Sequence, residues 1–542
     1  MTAGTLIHAP VLVVGAGIMG AGIAQVAAQA GHTVMLYDTR EGAADAAIVQ
    51  LRKSLDALVA KGKLDASAVA QTLSRIQPIS TLDEASSAQC VIEAIVEKLD
   101  AKRGLFSALE RIVSADCVLA TNTSSISVTA IANGLQHPAR LVGMHFFNPV
   151  PVMKLVEVVS GLHTDTAVAQ AVFDLSKRWG KTPVHARSTP GFIVNRIARP
   201  FYAETLALLN ESGATQAATP AVLDACMRAA GFRMGPCELM DLIGHDTNFA
   251  VTQSVYEANF YDKRYLPSMV QRDMVDGGLL GRKSGRGFYR YGEKGSTLAS
   301  GVATTQEASA ANSPALLAER FATLLPESPV LHGKGPVAQR IATALEAAQR
   351  NFTRAADSDW IGLDLGNGQL RLTDGRTASE IRSTSAIPNI AVFDLCIAGP
   401  SGKAAAASDA TPPALAWAIG TSEAQDAQAT TGWTAQVHDW LQLLGFAPCR
   451  VADTPALVVA RTLAMLINEA ADAVQQNVCT ESGANDAMKL GVNYPAGPFE
   501  WLAQWDVHAV CRLLDALDQH YRGERYRVSP WLRQRMWSTP KL

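Results

Sequence analysis

The chain has 542 residues, too many for a single hydrophobic core, so two to four domains are expected. Its composition, 48% hydrophobic and 18% charged, is that of an ordinary globular protein; a net charge of −3 without a basic block gives no footing for nucleic acid or an anionic membrane surface. No apolar stretch reaches membrane-spanning length and no signal-peptide pattern opens the chain; the eight cysteines include no C-x-x-C pair, so a reducing cytoplasm is expected rather than a disulfide framework or a zinc site.

From residue 10 to 188 strand-like and helix-like patterns alternate. Val11–Val14, Thr33–Tyr37, Cys90–Ala94, Cys117–Ala120, Arg140–His145 and Leu155–Val159 read as short apolar strands, which predicts an α/β, doubly wound, mostly parallel sheet. The first strand runs into Gly15-Ala16-Gly17-Ile18-Met19-Gly20, followed by a helical run from Ala21 to Ala30. This is a dinucleotide-binding fingerprint: the glycines allow the tight turn, the approach of a pyrophosphate and close helix–strand packing, and the helix N-terminus faces the phosphates. Asp38 closes the second strand, where a carboxylate accepts hydrogen bonds from an adenosine ribose and repels a 2′-phosphate. Arg40, nearby, reads as a solvated arginine. Asn122-Thr123-Ser124-Ser125 follows the fourth strand, at the end of the sheet where open α/β folds bind ligands, although such a cluster also caps helices. His145 then sits at a Pro-rich turn, with Glu157 on the next strand, 12 residues later (157 − 145). A carboxylate within Leu155-Val156-Glu157-Val158-Val159 needs a partner in so apolar a strand, and a histidine that becomes positive during turnover supplies one.

Thr189-Pro190-Gly191 opens a stretch that reads as mostly helical to about Arg290, and residues 293–315, rich in Ala, Ser, Thr and Gly, read as a linker. The rest repeats the first part in weaker form. Thr189-Pro190-Gly191-Phe192-Ile193-Val194-Asn195-Arg196 returns as Thr454-Pro455-Ala456-Leu457-Val458-Val459-Ala460-Arg461, an offset of 265 (454 − 189), and Glu204 meets Glu469 at the same offset. Met234-Gly235-Pro236-Cys237-Glu238 returns as Ala496-Gly497-Pro498-Phe499-Glu500. Three matches in order argue for a duplicated helical domain. The expected domains are a nucleotide-binding domain over 1–188, a first helical copy over 189–292, a linker over 293–328, a degenerate nucleotide fold over 329–452 and a second helical copy over 453–542.

In their order and spacing, Gly15–Gly20, Asn122–Ser125, His145–Glu157 and Thr189–Arg196 resemble the L-3-hydroxyacyl-CoA dehydrogenases, over roughly residues 8–290. The resemblance implies a Rossmann-type NAD-binding domain followed by a helical domain, and oxidation of (S)-3-hydroxyacyl-CoA to 3-ketoacyl-CoA with NAD. It makes His145 the general base, Glu157 the group that orients and stabilises its imidazole, and Ser124 and Asn195 the residues that bond the substrate oxygen. Asp38, Glu97, Lys102, Asn122, Asn148 and Lys283 fall, with Gly15, Gly17, Ile18, Met19 and Gly20, where the family contacts NAD; Ser54 and Lys61 fall where it contacts the CoA moiety. No metal is implied. The long form, with a tandem helical domain, resembles the bacterial enzymes of aerobic phenylacetate breakdown that act on 3-hydroxyadipyl-CoA, with 3-hydroxybutyryl-CoA, a fatty-acid β-oxidation substrate, as the alternative.

The second half departs from the family pattern: Ala460 stands where Asn195 stands in the first copy, and no His…Glu unit precedes it. One active site per chain is therefore expected, with the second helical copy packing on the first in a monomeric pseudo-dimer or in a homodimer. Cys237 is a further departure, at a place where the family has an aromatic residue. No residue reads as a dedicated carboxylate clamp; Arg196 and Arg199 are candidates by position, but read rather as solvated or helix-pairing residues. Two different functions compete: a dehydrogenase of free hydroxy or sugar acids, which would not need Ser54 and Lys61, and a nucleotide-binding structural protein whose site has decayed, against which the set Ser124, His145, Glu157 and Asn195 stands.

Overall fold

The computed structural model describes residues 6–211, 218–292, 297–298, 328–396, 412–420 and 427–540. The chain divides into two units, residues 1–197 with 473–493, and residues 198–472 with 494–542. The expected linker, 293–328, lies almost wholly outside the described residues.

In the first unit β1 (Val11–Val14), β2 (Val34–Tyr37), β3 (Ile76–Pro78), β4 (Cys90–Glu93), β5 (Val118–Thr121), β6 (Leu141–Phe146), β7 (Leu155–Ser160) and β8 (Thr182–Arg187) form one sheet in the order β3-β2-β1-β4-β5-β6-β7-β8. All neighbours are parallel except β6 and β7. The central strands β1, β4 and β5 are buried along their whole length, which is why they read as continuous apolar runs. The strand order reverses between β1 and β4, so the loops after them diverge and leave a crevice at the carboxyl ends of the strands. Gly15, Asp38, Glu97 and Asn122 all follow strands that end there. Two strands were absent from the sequence reading. β3 is three residues long and half polar; β8 (Thr-Pro-Val-His-Ala-Arg) is an edge strand, where a proline is tolerated.

The first unit also contains a helix from the distant second helical copy. Helix Glu481–Gly491, capped by Thr480, packs on β7, β8 and the short helix Val194–Ile197.

The second unit holds helices Arg199–Glu211, Pro220–Ala229, Pro236–Ile243, His245–Ala258 and Met269–Asp276, then the paired strands β9 (Arg290–Tyr291) and β10 (Thr297–Leu298). Its second sheet is built from β11 (Val330–His332), β12 (Thr353–Ala355), β13 (Gly362–Asp364), β14 (Gln369–Leu372), β15 (Ile390–Phe393), β16 (Ala414–Ile419) and β17 (Ala447–Arg450), in the order β12-β11-β13-β14-β15-β16-β17. This is the degenerate fold expected from the sequence, with antiparallel β13 where the first sheet has a parallel strand. Helices Val459–Gln475, Pro498–Trp505, Val507–Tyr521 and Pro530–Ser538 complete the duplicated helical region.

Within this unit the two copies exchange partners. Glu204 of the first copy, fully buried, accepts hydrogen bonds from Arg461 Nε (2.8 Å), Arg525 Nη2 (2.8 Å) and the Tyr526 hydroxyl (2.9 Å) of the second. Glu469 of the second copy accepts one from the Tyr265 hydroxyl (2.6 Å) and lies 3.5 Å from Arg264 Nη1 of the first. A buried carboxylate is costly unless it is paired and hydrogen-bonded, so each copy stabilises the other's charge. No described helix is long and apolar enough to cross a membrane.

Candidate active site

The nucleotide end of the first unit is set by glycine geometry. Gly15 has φ of +106°, and a Cβ there would lie 2.4 Å from the carbonyl oxygen of Ala94; a Cβ on Gly20 would lie 1.7 Å from that of Gly15. Gly17, by contrast, has nothing within 4 Å of a would-be Cβ, and it begins helix Ile18–Gln29 without a side-chain cap. Open space beside an uncapped helix N-terminus fits a pyrophosphate. Ile18 is largely exposed and Met19 is half-buried at this turn.

Asp38 Oδ2 accepts from the Ala16 N–H (2.8 Å), which ties the second strand to the glycine turn, and Oδ1 accepts from Arg40 N (3.0 Å) and Nε (3.1 Å). Burial alone would raise this carboxyl, but Arg40 and the backbone donors outweigh it and hold it below the usual carboxylate range. Arg40 is exposed, as expected, yet it is paired with Asp38 rather than simply solvated.

A second cluster lies after β4. Lys102, 1% exposed, places Nζ 2.6 Å from Glu93 Oε1 and 3.2 Å from Glu97 Oε2. Glu93 Oε2 accepts from the Thr121 hydroxyl (2.7 Å). Glu97 Oε1 accepts from the Thr123 hydroxyl (2.6 Å), from the N–H of Ser124 (2.9 Å), and from the N–H and hydroxyl of Ser125 (3.0 Å each). Glu97 therefore clamps the turn that carries Ser124. Burial raises its carboxyl, but the Lys102 ammonium and these donors hold it below its ordinary range. Asn122 Oδ1 accepts from the Phe146 N–H (2.8 Å) and so fastens the same turn to β6, next to His145.

His145 and Glu157 face each other in the β6–β7 register. Both are buried, and His145 Nδ1 lies 2.6 Å from Glu157 Oε2. A carboxylate only accepts, so Nδ1 carries the hydrogen and Nε2 is left as the proton acceptor. The Ser124 hydroxyl lies 3.0 Å from Nε2. Glu157 Oε1 accepts from the N–H groups of Ile193 (3.0 Å) and Val194 (2.9 Å), at the start of the turn that carries Asn195. One carboxylate thus fixes the imidazole and the Asn195 turn together. Phe147 and Phe192 flank the imidazole, with ring centroids at 4.6 Å and 5.8 Å.

The remaining sequence candidates are more dispersed. Asn148 is exposed on the turn after β6. Ser54 and Lys61 lie exposed along and just past helix Ala43–Ala60, with the Ser54 hydroxyl bonded to the Gln50 carbonyl. Lys283 belongs to the second unit, where it is ion-paired with Asp246. Arg196 donates to Gln476 Oε1 (2.8 Å) and Arg199 to the Thr252 hydroxyl (3.0 Å); both are buried and engaged in helix contacts. Cys237 is fully buried, and the Asp224 carboxylate accepts from its N–H (2.8 Å). Sequence reasoning missed Glu93, whose signal was the same as that of Glu157, a lone carboxylate on an apolar strand. It also missed Lys181, buried, whose ammonium donates to the carbonyls of Val150 and Met153 and holds the turn after His145.

The family described as 3-hydroxyacyl-CoA dehydrogenase, NAD binding domain, matches residues 10–189, and its C-terminal domain matches twice, at 191–291 and 457–539. A 3-hydroxybutyryl-CoA dehydrogenase reduced Rossmann-fold domain matches residues 370–455. The chain is 40% identical over 529 residues, 97% of each protein, to the 3-hydroxyadipyl-CoA dehydrogenase of Escherichia coli (strain K12). It is 43% identical over 285 residues, 52% of this chain and 98% of the relative, to a probable 3-hydroxybutyryl-CoA dehydrogenase of Bacillus subtilis. The crystal structure of an Escherichia coli K12 3-hydroxybutyryl-CoA dehydrogenase superposes with a TM-score of 0.80 at 38% identity, covering 98% of this chain and 99% of that one. The chain belongs to the 3-hydroxyacyl-CoA dehydrogenase family and is an NAD-dependent oxidoreductase.

Proposed function

We propose that this enzyme oxidises the 3-hydroxyl of 3-hydroxyadipyl-CoA, with His145 as general base. The observation that carries the chemistry is the line Glu157 Oε2–Nδ1–His145–Nε2–Ser124 Oγ, with contacts of 2.6 Å and 3.0 Å. Nε2 takes the proton of the substrate hydroxyl, and Glu157, buried and fixed by two backbone N–H groups, stabilises the imidazolium that results. Ser124 and Asn195 hold the substrate oxygen. Bound NAD supplies the hydride acceptor. Gly15, Gly17, Ile18, Met19, Gly20 and Asp38 would hold its adenosine and pyrophosphate; Glu97, Lys102, Asn122 and Asn148 would line the rest, Lys102 through Glu97. Ser54 and Lys61 would meet the CoA moiety.

The choice of acyl group is supported by the relative named for 3-hydroxyadipyl-CoA, which matches along 97% of both chains. The Escherichia coli structure of matching extent is named for 3-hydroxybutyryl-CoA, so that shorter thioester is the second reading. The domain boundaries read from the sequence, a cytoplasmic location and a monomeric pseudo-dimer complete the proposal; the reciprocal Glu204 and Glu469 contacts support the last. The test is NADH formation from 3-hydroxyadipyl-, 3-hydroxybutyryl- and 3-hydroxyhexanoyl-CoA, with free 3-hydroxybutyrate as control. The adipyl thioester is expected to have the highest kcat/KM. Preference for the butyryl thioester would move the assignment to the second reading, and turnover of the free acid would overturn the use of CoA.

A further inference from the structure

The helix from the second copy that lies in the first unit does more than cover an edge of the sheet. Its last residue is Gly491, and a Cβ there would lie 2.7 Å from Leu155 Cδ2, 3.0 Å from Val194 Cγ2 and 3.7 Å from Phe147 Cε1. Leu155 is 0% and Val194 2% exposed, so neither has free room to yield. The Phe147 ring packs on the His145 imidazole, and the Val194 N–H is one of the two that hold Glu157. One backbone position thus abuts the supports of both members of the dyad.

The other end of the segment is tied to the same site. The Val478 carbonyl accepts from the N–H of Arg187 at the end of β8 (2.9 Å), and Gln476 accepts from Arg196, the neighbour of Asn195. Directly after Val478, the Cys479 thiol is pushed up to about 12 by burial and then by the Glu157 charge, so the segment runs within electrostatic reach of that carboxylate.

The chain contains its own control. Helix Pro220–Ala229, capped by Thr219, is the first copy's counterpart of helix Glu481–Gly491, capped by Thr480, and it packs on β16 of the second sheet. Eleven residues after each cap (230 − 219 and 491 − 480) the first copy has Ala230 and the second has Gly491. The side-chain-free position accompanies the sheet that carries the dyad.

We propose that the segment Gln476–Gly491 of the second helical copy is a positioning element of the catalytic site, setting the His145 imidazole through Phe147 and the Asn195 turn through Val194 and Arg196. This rests on the reading of His145 as the base. It also gives the second half of the chain a part in catalysis, although the described residues of that half hold no dyad of their own.

The test uses the full-length chain with Gly491→Ala, the residue that the first copy carries. The expected result is a kcat lower by about five- to fiftyfold, since small displacements of a catalytic group carry large rate effects. The base-limb pKa of the kcat/KM profile should shift, with the dissociation constant for NAD unchanged. Adding Leu155→Val, which removes the nearest obstructing atom, should restore most of the loss. A folded Gly491→Ala enzyme with wild-type kcat and pH profile would overturn the proposal. If that variant does not fold, Gln476→Leu takes its place: lower kcat with unchanged NAD affinity supports the proposal, and wild-type kinetics overturn it. A wild-type chain inactive on every 3-hydroxyacyl thioester would instead remove the underlying reading of His145.

Discussion

In the first sheet His145 at the end of β6 stands opposite Glu157 of β7. The second sheet has the matching antiparallel pair, β15 and β16, and there Asp394, just past β15, donates its N–H to the carbonyl of Ala416 (2.9 Å). Asp394 thus occupies the histidine's place and Ala416 the glutamate's. The Asp394 carboxylate accepts from the N–H groups of Val458 (3.0 Å), Val459 (2.7 Å) and Ala460 (2.9 Å), the counterparts of Ile193, Val194 and Asn195. Both halves therefore need a carboxylate to hold the turn that enters the helical domain. The first half supplies it from the strand across, which leaves room for an imidazole; the second supplies it from the imidazole's own position. Burial pushes the Asp394 carboxyl up to about 6, the backbone donors only partly offsetting it. In the proposed mechanism Glu157 does two jobs, and the second sheet shows one of them alone.

Breaking the chemical job should have the largest effect. His145→Gln is expected to lower turnover by about 10²–10⁴-fold, the usual worth of a general base, while NAD affinity stays close to wild type. Glu157→Gln keeps one oxygen for the backbone donors but removes the charge that supports the imidazolium. Its turnover should fall by about 10- to 100-fold, and the base limb of the pH profile should move to lower pH as the opposite charge is lost. A loss of activity without that shift would assign Glu157 to the structural job only.

The structural job is isolated by Asp394→Ala, which leaves four buried N–H groups, those of Leu395, Val458, Val459 and Ala460, without their acceptor. The expected cost is on the order of 3 kcal/mol in stability by denaturant titration, with turnover per folded molecule unchanged. The smallest effect concerns the clamp on Ser124. Glu97 is held below its ordinary range in the fold, so its contribution to stability is complete above about pH 4.5 and fades as pH falls through its folded value. Glu97→Gln should lower the unfolding temperature at pH 7 and lower it by less near pH 3, below the ordinary carboxylate range. An equal loss at both would mean that the carboxylate's charge is not what holds the turn.

What could be read from the sequence was local. The glycine turn and Asp38 sit on consecutive elements, and His145 and Glu157 face each other across one hairpin, so spacing along the chain translates into contact. The duplication was legible because capping and turn residues recur at nearly fixed offsets. What escaped was carried by pairing at long range: the Glu97 clamp on a turn 27 residues away, the exchange of Glu204 and Glu469 between the copies, and the placement of Glu481–Gly491 on β7 and β8. Asp394 escaped as well, because a strand-end aspartate without a histidine reads like any other turn residue until its three distant backbone partners are in view.

One working site per chain is expected, built on the first sheet and without a counterpart among the described residues of the second. This is tested most directly by titrating NAD into the full-length chain by calorimetry and counting, in a single turnover with saturating thioester, the NADH formed per chain. One NAD bound and one NADH formed per chain, with the bound NAD retained and NADH formation slowed about 10²–10⁴-fold in His145→Gln, is the predicted result. Two of either per chain, or NADH formed by His145→Gln at the wild-type rate, would contradict it.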